Sequence, residues 1–121
     1  MKTKKTLSSA AAAFACAALL SACAGGPPTL YQWEGYQPHV YAYLKGEAQD
    51  PQKQIAEMEE GLHKIRSSGR HEPPGYHAHM GLLYASAGQL DKMNDEFQTE
   101  KKLFPESSAY IDFLLAKQKQ S

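Results

Sequence analysis

The sequence predicts an all-α fold, two helical hairpins followed by a closing helix, and three observations lead there. Ile55, Met58, Leu62 and Ile65 follow at spacings of 3, 4 and 3, which draws one apolar stripe along a helix. Capping and breaking residues recur at helix-length intervals: Asp50-Pro51, Ser67-Ser68-Gly69, Gly88 and Pro105. No stretch alternates apolar and polar residues with period two, so no sheet is expected.

The first helix is expected over Pro38 to Lys45 (PHVYAYLK), with proline tolerated in its first turn and Gly46 ending it. Asp50 is a good N-cap and Pro51 a good first residue for the second, which runs to Ser67 with Glu57, Glu59, Glu60, Lys64 and Arg66 mostly on its solvated side. RHEPP, residues 70–74, connects, because each proline pushes its predecessor out of helical geometry. A third helix is expected from Gly75 through YHAHMGLLYASA, with Tyr76, Met80, Leu83, His77, Gly81 and Tyr84 packed and His79 facing water, so that truncating His79 costs little. The fourth, Gln89 to Phe104, turns Leu90, Met93, Phe97 and Phe104 inward and stops before Pro105. The last begins at Ser107 or Ser108 as N-cap and buries Tyr110, Phe113 and Leu114.

Ahead of the helices the chain has a different character. Residues 1–22 combine Lys2, Lys4 and Lys5 with an apolar run of 14 residues from Leu7 to Leu20, the layout of an export signal. That run is shorter than the ~20 apolar residues of a membrane span. Leu20-Ser21-Ala22-Cys23 resembles the lipobox that bacterial lipoprotein processing reads, which implies cleavage between Ala22 and Cys23 and a diacylglyceryl group, often joined by palmitate, on Cys23. Two or three acyl chains hold a protein on a bilayer effectively for good. Ala24 follows the cysteine where an aspartate resembles the inner-membrane retention signal, which leans the address towards the outer membrane, facing the periplasm. Residues 23–30, the lipidated cysteine and the AGGPPT stretch, read as a tether, and residues 31–121 as one helical domain.

The full chain of 121 residues is formally neutral, but losing the three leader lysines leaves ten basic against thirteen acidic residues, a charge of about −3. Nothing in that balance attracts nucleic acid. Cys16 goes with the leader, so Cys23 is the one cysteine of the processed chain and no intramolecular disulfide forms. Tyr31, Trp33, Tyr36, Tyr41 and Tyr43 concentrate five of the twelve aromatics in thirteen residues. They suit a lid over a small core or, for Trp33 and Tyr36, a contact with a partner or a membrane interface.

The third and fourth helices resemble a tetratricopeptide repeat, a helical hairpin of about 34 residues. Gly81, Tyr84, Phe97 and Pro105 fall on that repeat's glycine, tyrosine, phenylalanine and proline positions, while His77 and Met93 depart from its tryptophan and alanine and Glu100 replaces a small residue. The earlier pair is a degenerate copy, with Gly61 where an aromatic belongs. The resemblance implies a short tetratricopeptide-like stack with a C-terminal capping helix, and makes Ala78, Leu82, Ala85 and Ser86 candidates for a partner-facing surface. The segments YQWEGYQPHVYAYLKG, PPGYHAHMGLLYASAGQ and KKLFPESSAYIDFLL also resemble a family of small uncharacterised bacterial lipoproteins, a domain of unknown function. That family is often encoded beside a lipoprotein similar to the curli-secretion channel and another small lipoprotein. This implies an accessory role among envelope lipoproteins and brings no catalytic residues.

Chemistry in the residues themselves is sparse. His77 and His79, two apart on a helix, point about 200° from each other and cannot share an ion, and neither HExxH nor paired CxxC is present. A metal-binding or catalytic periplasmic protein using His71, Glu72 and His77 is the alternative. The acids read as solvated among lysines, no nucleophile constellation or phosphate loop exists, and no catalytic residue, cofactor or small-molecule substrate is expected. The expected function is a non-enzymatic, lipid-anchored interaction or assembly accessory for another outer-membrane lipoprotein, with Trp33, Tyr36, Ala78, Leu82 and Ser86 as the contact residues.

Overall fold

A computed structural model describes residues 14–16, 26–27, 29–47 and 50–120. The cleavage and lipidation positions, Ala22 and Cys23, lie outside the described residues. Between Tyr36 and Gln118 the described helices are α1 (Tyr36–Leu44), α2 (Pro51–Ser67), α3 (Tyr76–Ser86), α4 (Leu90–Leu103), a 3-10 turn (Pro105–Ser107) and α5 (Ser108–Gln118). The fold is all-α; among the described residues the extended contact is a single bridge between Tyr31 and His71. No helix among them is long and apolar enough to cross a membrane.

Local chemistry sets the ends. The Asp50 carboxylate accepts from the N–H groups of Gln52 and Lys53, at 3.0 and 3.2 Å, and Pro51 sits where its missing N–H costs nothing. α1 begins at Tyr36 behind Gly35, two residues earlier than Pro38, because a glycine at φ 72° turns the chain into the helix without a side-chain cap. Ser107 holds the N-cap position of α5, as expected, but makes no side-chain capping bond; its hydroxyl donates instead to Glu100 Oε1 at 3.1 Å.

α3 is the centre of the molecule. It packs most extensively on α4, to which three residues join it, and then on α2; α5 lies against α4, and α1 against α2. Met58 and Ile65 from α2, Tyr76, Met80 and Leu83 from α3, Phe97 from α4 and Ile111 from α5 form the core. Gly81 carries the α3–α4 approach: a Cβ there would overlap the ring of Phe97. Gly61 does the same for the first half, since its Cβ would lie 2.7 Å from the Tyr76 hydroxyl and 3.0 Å from the Glu34 carbonyl.

Several burial expectations are corrected. His79 does not face water; it is 5% exposed, because eight of the eleven α3 residues are buried and the helix keeps little solvent face. Tyr110 and Phe113 are more than half exposed, since α5 turns Ile111 inward, with Leu114 and Leu115 beside it. Leu90 is also exposed, at the first turn of α4, beyond the reach of the core. The acids are not all solvated either: Glu72 and Glu100 are buried.

Candidate functional site

Two concave regions and one buried ion cluster hold the side chains of interest. The cluster is built from three elements. Glu72 comes from the connector before α3, His77 from the first turns of α3 and Glu96 from α4. His77, 2% exposed, places Nδ1 at 2.5 Å from Glu96 Oε2 and Nε2 at 3.1 Å from Glu72 Oε1. Arg66, near the end of α2, donates to the same Glu72 oxygen at 3.2 Å. Burial alone would lower the His77 pKa, yet the hydrogen bonds the ring donates to Glu96 and Glu72 outweigh it and hold the ring above its ordinary value. Burial pushes Glu72 up, and His77, with Arg66, more than offsets it, so that carboxyl titrates below the usual range. An imidazolium donating from both nitrogens matches this geometry. Both nitrogens are engaged, so neither is free to take a proton from a bound molecule.

Of the three residues His71, Glu72 and His77, the structure brings Glu72 and His77 together. His71 is exposed, and its carbonyl accepts from the Gln32 N–H at 3.0 Å. Among the described residues no group of three or more His, Cys, Asp or Glu side chains is arranged to hold a metal ion.

The first concave region is a groove of about 160 Å³ between α1, α3 and α5, lined by Tyr36, Val40, Tyr43, Ala78, Leu82 and Tyr110 among others. Three of the five contact residues read from the sequence, Tyr36, Ala78 and Leu82, therefore meet in one place. Ala78, 4% exposed, forms floor rather than rim. Trp33 stands beside the groove, 43% exposed, its ring 5.9 Å from that of Tyr36. Ser86 is exposed outside it, its hydroxyl donating to the Leu82 carbonyl at 3.0 Å. Tyr36 in turn stacks on Tyr76 at 5.6 Å, and its hydroxyl pKa is raised by burial and by the Glu100 charge.

His79 also lines this groove, and spacing gave no signal for it. Its ring meets Tyr43 edge-on at 5.3 Å and Tyr36 at 6.2 Å, and its buried Nε2 has no hydrogen-bond partner. Burial, then the nearby His39 charge, pushes its pKa down to about 4. Glu100, wholly buried on α4, supplies the N-terminal cap that α3 lacks locally: Gly75 N–H donates to Oε1 at 2.7 Å and Ala78 N–H to Oε2 at 3.3 Å. A carboxylate reaching across from another helix fixes where the groove floor begins.

The second region is a cleft of about 260 Å³ lined by Leu30, Tyr31, His71, Glu72, Leu103 and Phe104. It shares Glu72 with the ion cluster.

A family model described as Domain of unknown function (DUF4810) matches residues 30–114. The chain belongs to this family. The match contains every lining residue named for both concave regions and every member of the ion cluster. No curated protein and no solved structure matches the chain.

Proposed function

We propose that this DUF4810 chain is a lipid-anchored lipoprotein of the bacterial outer membrane, facing the periplasm, that acts by binding rather than by catalysis. Its partner in this reading is another envelope lipoprotein, of the secretion-channel-like or small companion kind. The observation that carries the reading is the meeting of Tyr36, Ala78 and Leu82 in one mostly apolar groove, with the half-exposed Trp33 at its side. Aromatic residues beside a small-residue floor are the usual makings of a protein contact. The Gly81–Phe97 approach and the three-residue turn between α3 and α4 are compatible with a tetratricopeptide-like hairpin presenting that floor. The lipobox at Leu20-Ser21-Ala22-Cys23 supports the anchor, and AGGPPT the tether.

Two experiments bear on it. A photo-crosslinking residue at Leu82, used in native membranes, should give one reproducible adduct with an envelope lipoprotein, while the same residue at Ser86 gives less. Absence of any adduct at Leu82 rules the groove out. Cys23→Ala should take up no labelled palmitate and leave the outer-membrane fraction, whereas a processed product with a bare thiol would overturn the anchor.

A further inference from the structure

The chain enters the fold at an edge that takes no part in the groove. We propose that this edge, where Leu30 and Leu103 stand together, is a docking surface for the phospholipid bilayer that holds the chain. The inference rests on the Cys23 anchor of the proposed function. Leu30 and Leu103 are 64% and 46% exposed, and both line the second cleft together with His71. Their places are held. Tyr31 bridges His71, the Gln32 N–H donates to the His71 carbonyl at 3.0 Å, and the Tyr31 ring meets Phe104 at 6.2 Å. Just ahead, the Thr29 hydroxyl donates to the Tyr31 carbonyl at 2.9 Å and closes the bend that carries Leu30. The two leucines therefore ride on fixed backbone.

Two exposed leucines by themselves call for no occupant. The length of chain ahead of them supplies one. Seven residues separate Cys23 from Leu30, and fully extended they span about 25 Å at most, or about 15 Å as a flexible coil. Both lengths fall short of the ~30 Å breadth of a folded unit of this size. The edge is thereby kept beside the lipid at an effective concentration in the millimolar range, where a contact too weak to hold a free protein is still populated. Charge agrees with an anionic headgroup layer. Arg70 and Lys102, both exposed, adjoin His71 and Leu103 in sequence, and the exposed acid nearest in sequence to Leu103 is Glu106, beyond Pro105. Glu72, the acid within the cleft, is buried and paired with Arg66 and His77. Two cations thus face one anion at an edge of a processed chain whose net charge is about −3. Leucines flanked by long basic side chains suit a bilayer interface, where methylenes enter and charged ends stay in the headgroups.

The test uses the processed protein from native membranes, reconstituted in nanodiscs of phosphatidylethanolamine with a phosphatidylglycerol minority and a lipid bearing a nitroxide at its headgroup. Methyl NMR then reads which leucines the nitroxide broadens. Leu30 and Leu103 should broaden several-fold more than Leu90, which is 46% exposed like Leu103 but stands at the other end of α4, about 20 Å away at ~1.5 Å per residue. Leu103→Glu, a change outside the core, should cut the Leu30 broadening several-fold at an unchanged melting temperature. If that variant melts lower, Arg70→Glu combined with Lys102→Glu, which touches neither leucine, should cut it likewise. Mass spectrometry of the same sample reports the acyl chains. With the chains in place, equal broadening of the three leucines, no broadening at all, or unchanged broadening in either folded variant overturns the docking surface and leaves the anchor standing. A bare thiol at Cys23 overturns the anchor and the docking surface with it.

Discussion

His79 offers the sharpest test of the packing, because its burial makes a prediction in a narrow pH window. The ring lies under Tyr36 and Tyr43 with its pKa lowered to about 4, against an ordinary value of 6.5. Between those values the unfolded chain takes up a proton that the folded chain refuses, so stability is complete above pH 6.5 and falls as the pH drops towards 4. At about 1.36 kcal/mol per unit, the loss from this one ring is about 3 kcal/mol. Glu72, whose pKa is lowered from 4.5, acts below that point, so the two losses are separable. The assay is urea unfolding by far-ultraviolet circular dichroism at half-unit steps from pH 7.5 to 4, for the wild type and for His79→Gln. The variant has its own stability at pH 7.5, but its curve should be flatter by about 3 kcal/mol over the window. Parallel curves, or an NMR titration of the His79 ring with its midpoint near 6.5, would refute the buried placement.

Three further outcomes are expected. Gly81→Val drives a side chain into Phe97 and should cost about 3 kcal/mol or more, read as a large drop in melting temperature, with Gly81→Ala already destabilising. Glu100→Ala strips the Gly75 and Ala78 N–H groups of their acceptor and should cost about 2 to 4 kcal/mol by urea unfolding, Glu100→Gln distinctly less. His77 has the opposite sign to its neighbour: its raised pKa gives stability that is complete below about 6.5 and lost as the pH rises through the folded value. An NMR titration should therefore place the His77 midpoint above 6.5, and Glu96→Gln should lower it.

The helices were legible because their signals are local. Asp50-Pro51 opens α2 where the spacing of Ile55, Met58, Leu62 and Ile65 says it should, and Gly88 and Pro105 bracket α4. Gly81 was legible as a close approach through its place in a known hairpin pattern, and the ring of Phe97 occupies the space it leaves. Face assignments failed where tertiary packing chose among several apolar residues. On α5 the bulkier Tyr110 and Phe113 looked like core, yet Ile111 fits the seam and the rings stay outside. α3 gave no polar face to read, since it is enclosed by neighbours on most sides, and His79 was misplaced for that reason. The His77–Glu96 pair of the ion cluster and the Glu100 cap join residues 19 to 25 positions apart across different elements, and no periodicity encodes such a meeting. Within the groove, Tyr36 was found in the aromatic-rich stretch and Ala78 and Leu82 through the repeat resemblance, whereas the second cleft depends on Tyr31 lying beside His71, which nothing in the spacing announces.

That pairing of Tyr31 with His71 also decides how the protein responds to being pulled. The Gln32 N–H to the His71 carbonyl, the Ser68 hydroxyl on Gln32 and the Tyr31 ring against Phe104 moor the incoming chain to the joint between the two halves. A load arriving from upstream is divided among α2's end, the connector and α4's end before α1 feels any of it. In the proposed anchored protein, the first helix and the groove it walls are thereby sheltered from tension arriving ahead of Leu30.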